Sequence, residues 1–96
     1  MPTYIVLAHM TQQGVQNAKE IPQRRAAAKE TAEALGMTLR ESYLTMGAYD
    51  VVLVLDAPNG ETMAKFALQI GMRGNLTTQT LRGFNETETD AILSDL

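Results

Sequence analysis

Asp50-Val-Val-Leu-Val-Leu-Asp56 is wholly apolar between two carboxylates. A strand of this kind has no polar side to offer water, so both of its faces must be covered. Upstream, Thr38 to Met46 alternates polar and apolar residues, the pattern of an edge or half-exposed strand. Met46-Gly47-Ala48 is a turn between the two, and strands joined this tightly make a hairpin. Downstream, Ala57-Pro58-Asn59-Gly60 reads as a loop with Asn59 placed to cap a helix. Glu61 to Met72 then sets Met63, Phe66, Ala67 and Ile70 on one helical face.

The flanks complete the order. Tyr4 to Met10 is a first strand, again apolar on both faces, and Thr11 to Glu20 is a polar loop or short helical turn. Pro22 marks a first helical position, where its missing N–H costs nothing. Gln23 to Leu35 follows with high helix propensity, with Ala28, Ala32 and Leu35 at helical spacing and Gly36 as the stop. Leu76 to Arg82 is a Thr-rich alternating strand, and Glu86 to Leu96 a short acidic helix or tail. The chain therefore predicts an α+β, ferredoxin-like β-α-β-β-α-β sandwich with an antiparallel sheet and a short C-terminal helix, one domain over residues 1–96.

In that plan the two helices cover one face of the sheet, and the first and third strands are central. Since both are apolar on both faces, the uncovered side carries an apolar patch drawn from Ile5 to Leu7 and Val51 to Leu55. Such patches mark interfaces, so packing of sheet on sheet in a homodimer or larger symmetric assembly is expected. Alternation alone does not say which residues face the helices.

Composition narrows the chemistry. The net charge is −3, from 8 basic and 11 acidic residues, which gives no attraction to nucleic acid or anionic lipid. RNA-recognition domains share this strand order but stack bases on aromatics of the central strands, and Val51 to Leu55 has none. There is no cysteine, so disulfides, thiolate catalysis and Cys-ligated metal are excluded, and a reducing cytoplasm is the expected location. No apolar run approaches the roughly 20 residues that span a bilayer. With one histidine, no cysteine and no Gly-rich phosphate loop, neither a metal nor a cofactor is expected.

Thr11-Gln12-Gln13-Gly14, Lys19-Glu20-Ile21-Pro22, Thr45-Met46-Gly47-Ala48-Tyr49-Asp50, Lys65-Phe66-Ala67-Leu68, Gly74-Asn75 and Thr80-Leu81-Arg82-Gly83-Phe84 occur in order along nearly the whole chain. Together they resemble the GYD domain family, whose name reflects the turn present here as Gly47, Tyr49 and Asp50. The resemblance implies the dimeric α/β-barrel group, in which two ferredoxin-like sheets pack face to face. It carries no agreed reaction. Two positions depart from the family pattern: His9-Met10 stands where many members have Lys or Trp, and Ile21 where a Ser is common.

Four side chains are the candidate ligand-binding residues: His9, Tyr43, Tyr49 and Asp50. His9, at a strand end, has the chemistry of a general base or an orienting donor, or is simply a solvated polar residue. Tyr49 and Asp50 would hold a polar ligand, but turn chemistry explains them equally: Gly47 supplies positive φ, Asp50 accepts turn N–H bonds and Tyr49 packs. Tyr43 is read first as a cross-strand packing residue. Arg24, Arg25 and Lys29 read as a solvated helix face, and Arg73 as a cation at a helix C-terminus.

Two functions are consistent with this set. One is a non-catalytic oligomeric module that binds a small molecule or simply assembles. The alternative is a cofactor-independent oxygenase- or isomerase-like enzyme acting on a small organic substrate, which needs a dry pocket with His9 or a tyrosine hydroxyl inside it.

Overall fold

The computed structural model describes all 96 residues. Strand β1 (Thr3–Met10) leads into a short helix α1 (Gln12–Gln16), a single 3-10 turn (Ala18–Glu20) and helix α2 (Ile21–Ala34). Strands β2 (Thr38–Leu44) and β3 (Val51–Asp56), helix α3 (Gly60–Met72), strand β4 (Leu76–Gly83) and helix α4 (Glu86–Leu93) follow. The sheet has four strands in the order β2-β3-β1-β4, all pairs antiparallel. This is the ferredoxin-like arrangement with β1 and β3 central, as the apolar runs require. Thr11 to Glu20 resolves in favour of helix: the Thr11 hydroxyl accepts from Gly14 N and caps α1.

Local chemistry sets the helix ends. Asn59 accepts from Thr62 N at 2.8 Å and starts α3. Gly36 ends α2 at φ +74°, a left-handed conformation that a side chain disfavours. The start of α2 is different. Glu20 precedes it and makes no side-chain cap, and Ile21 is already helical, so position 21 is not the capping position. Helix α1 lies against the α3–β4 connection so closely that a Cβ on Gly14 would run into the Asn75 carbonyl.

Cross-strand register separates the two faces. Tyr4 opposes Leu55, Val6 opposes Leu53 and Ala8 opposes Val51, on the helix side. Ile5 opposes Val54 and Leu7 opposes Val52, on the open side. The core is Val6, Leu53 and Leu55 from the sheet, Ala28 and Ala32 from α2, Met63, Phe66 and Ile70 from α3, with Met37 and Ala57. Small residues at Ala28 and Ala32 bring α2 close to the sheet, and each large apolar side chain buried contributes about 1.5–3 kcal/mol.

One irregularity matters for the open face. Leu39 pairs with Leu55, but Glu41 pairs with Val54 and Tyr43 with Val52, so Arg40 is an extra residue. Uninterrupted pairing would turn Tyr43 toward the helices. The bulge instead puts Glu41 and Tyr43 on the open face and Ser42 beneath the helices.

Candidate functional site

The Gly47-Ala48-Tyr49-Asp50 corner is a clasp at one end of the sheet. Gly47 takes φ +105°, which L side chains rarely adopt. The corner then turns back onto β3, with Thr45 N donating to Asp50 O at 2.8 Å and the Thr45 hydroxyl to Tyr49 O at 2.6 Å. Asp50 N donates to Ala8 O, so the backbone ladder to β1 continues one residue beyond Val51. At the following position the ladder is completed by a side chain: Met10 N donates to the Asp50 carboxylate at 2.8 Å. The expectation that Asp50 serves the turn is thus corrected. Its carboxylate satisfies an N–H of the neighbouring central strand.

Tyr49 crosses the open face. Its ring lies on the His9 imidazole with centroids 4.9 Å apart, and its hydroxyl donates to Gln79 Oε1 on β4 at 3.2 Å. The sequence-designated residues therefore meet in part. His9, Tyr49 and Asp50 form one cluster. Tyr43 lies on the same face but on edge strand β2, half-exposed, with its hydroxyl directed to Glu41 Oε2 on its own strand. Between them run Ile5, Leu7, Val52 and Val54, only partly buried, with Leu81 40% exposed. The open face thus has an apolar centre and a rim of Tyr43, Tyr49, His9, Gln79 and Glu41, the anatomy of a protein interface. No group of His, Asp and Glu is arranged to hold a metal ion.

The opposite face of the sheet holds a cleft between α2, the end of α3 and the strands, floored by Val51, Leu53 and Ile70 and edged by Arg24, Arg25 and Arg73. None of His9, Tyr43 or Tyr49 lines it. The solvated-face reading holds for Arg25 and Lys29, which are exposed, and fails for Arg24. Arg24 turns inward and donates through Nη2 to the carbonyls of Gly14 and Asn17 at 3.2 and 3.3 Å, because α1 lies within reach. No spacing within α2 announces this contact.

At the C-terminal end, Asn85 and Glu88 form a reciprocal cap on α4: Glu88 N donates to Asn85 Oδ1 at 2.8 Å, and Asn85 N to Glu88 Oε1 at 3.1 Å. The N-x-x-E spacing was a legible signal for this cap. The backbone bond from Asn85, with the Arg82 guanidinium beside it, holds the Glu88 carboxyl below the usual glutamate range.

Three comparisons with known proteins bear on identity. The family model described as GYD domain matches residues 4–93. A Thermus thermophilus protein named glutamine synthetase and cystathionine beta-lyase binding protein is 33% identical over 82 residues, 84% of this chain and 86% of that protein. A crystal structure of a protein from Thermus thermophilus superposes with a TM-score of 0.60 at 25% identity, over 88% of this chain and 95% of that one.

Proposed function

The chain belongs to the GYD domain family, and from that premise we propose that it is a small protein-binding module that assembles with itself through the open face of its sheet. The observation that carries the reading is the pair of central strands. Ile5, Leu7, Val52 and Val54 form an apolar centre with no helix over it. A second copy presenting the same face would cover it and leave the helices of both copies outward. The helix side is then free for other proteins. The relative named for binding glutamine synthetase and cystathionine beta-lyase suggests enzymes as those partners. A bacterial cytoplasm is the setting we assign. The named relative is bacterial, and no helix here is long and apolar enough to cross a membrane.

A cofactor-independent oxygenase or isomerase would need a proton-transfer group in the cleft. His9, Tyr43 and Tyr49 are on the other side of the sheet. The binding reading is therefore the better supported.

Sedimentation velocity of the wild type, Val54→Asp and Leu81→Glu tests the assembly. A wild-type dimer or larger species that becomes monomeric in both variants, with circular dichroism unchanged, is the expected result. A monomeric wild type at micromolar concentration would reject it. Biolayer interferometry on immobilised glutamine synthetase and cystathionine β-lyase tests the partners, and no binding to either would remove that half of the proposal.

A further inference from the structure

We propose that the cleft between α2, the end of α3 and the sheet binds a small carboxylic acid with an apolar body. Arg24 and Arg73 would hold its carboxylate, Arg25 would assist from the rim, and Val51, Leu53 and Ile70 would receive the body.

The first support is an orphan donor. Nη2 of Arg24 is used by two carbonyls, but Nη1 is buried and has no hydrogen-bond partner in the protein. A buried guanidinium nitrogen without an acceptor is costly, because its lost hydration is not replaced. An acceptor placed in the cleft would remove that cost.

The second support is charge. Arg24, Arg25 and Arg73 all line the cleft, and no Asp or Glu does. The ion pairs of the fold lie elsewhere, Arg40 with Asp56 and Arg82 with Glu88. A chain with net charge −3 thus gathers three cations without an ion-pair partner at one place, Arg73 donating only to the Thr31 hydroxyl and Arg24 to carbonyls. The helix makes this less favourable still. Arg24 and Arg25 lie near the N-terminus of α2, the positive end of its dipole, and the first turn of α2 contains no acid. Cations there are unfavourable for the helix dipole; for Arg24 the Gly14 and Asn17 carbonyls offset part of this, and an anion in the cleft would offset more.

The third support is shape, which narrows the anion. The cavity is about 80 Å³, and at about 10–15 Å³ per water position the enclosed part takes roughly half a dozen non-hydrogen atoms. That suits a short-chain acid of butyrate size, and a monocyclic acid only with part of its ring in the open mouth of the cleft. A planar carboxylate also matches the guanidinium fork, while the apolar floor offers a fully charged phosphate nothing on its far side.

The test is a ¹H–¹⁵N NMR titration with butyrate and benzoate, set against their neutral isosteres butyramide and benzamide and against inorganic phosphate. Saturable shifts at Arg24, Leu53 and Ile70 with the acids are expected, with the amides and phosphate at least tenfold weaker. Arg24→Gln should weaken benzoate at least tenfold. If that variant misfolds through loss of its bonds to Gly14 and Asn17, Arg25→Gln decides instead. Its parent side chain is exposed and makes no hydrogen bond in the fold, and a severalfold loss is expected. Amides or phosphate binding as tightly as benzoate would overturn the proposal. So would acids that shift no cleft resonance, or affinity unchanged in the arginine variants. The cleft and the assembly face are on opposite sides of the sheet, so this titration and the sedimentation experiment can fail independently.

Discussion

The two faces of the sheet are built from the same strands and nearly the same residue types, yet they differ in what covers them. On the helix side, Val6, Leu53 and Leu55 are 1%, 4% and 0% exposed. On the other, Ile5, Leu7, Val52 and Val54 alternate with them along β1 and β3 and are only partly buried. Branched apolar residues contribute fully to stability only when water is removed from all sides. The helix face therefore holds the fold together, while the open face retains free energy that only a partner can realise.

The largest effect should come from the contrast itself. Leu55→Ala should lower unfolding free energy by about 2–5 kcal/mol, since it empties a filled core. Val54→Ala, one residue away, should cost well under half as much at concentrations where the protein is monomeric, and more where it is assembled. Urea melts across a range of protein concentration would read both. Equal costs at every concentration would erase the distinction between the faces.

A middle-sized effect tests the clasp at the border of the two faces. Asp50→Ala leaves Met10 N without its acceptor in a partly buried place, an expected loss of about 1–3 kcal/mol. Hydrogen exchange at Met10 should accelerate selectively. If Asp50 instead serves a ligand, the variant should keep its stability and its Met10 protection.

The smallest effect concerns α4, which bears on neither face as closely. Glu88 is held in its charged form by the Asn85 backbone and by Arg82, so its folded-state pKa is below the ordinary 4.5. A depressed carboxyl contributes stability that is complete above that ordinary value and is lost as pH falls through the folded one. Carboxylate NMR should show Glu88 titrating below the ordinary 4.5, with fraying of α4 in the same window. In Arg82→Gln the depression should shrink but persist, because the Asn85 bond is the larger cause.

Much of this molecule is legible in local sequence. Element type and order follow from the apolar run at Val51 to Leu55, the alternation before it, Pro22, Asn59 and Gly36, because period, capping and left-handed backbone are properties of neighbouring residues. The existence of an open apolar face followed from two strands with no polar side. The candidate site was less legible. Tyr49 and Asp50 stood out, but their partners His9, Met10 and Gln79 are 30–40 residues distant and were set by the antiparallel register.

What only the tertiary structure decided is which side each residue serves. Side chains in a strand alternate, so one extra residue exchanges the faces. The bulge at Arg40 does this to β2, moving Tyr43 to the open face and Ser42 to the cleft; the polar run Arg40-Glu41-Ser42 breaks the alternation there without fixing which residue is extra. Arg24 likewise looks like any exposed helix cation until α1 folds beside it and draws its guanidinium inward. Local patterns determine what each segment is. Contacts between segments far apart in the chain determine where its side chains point.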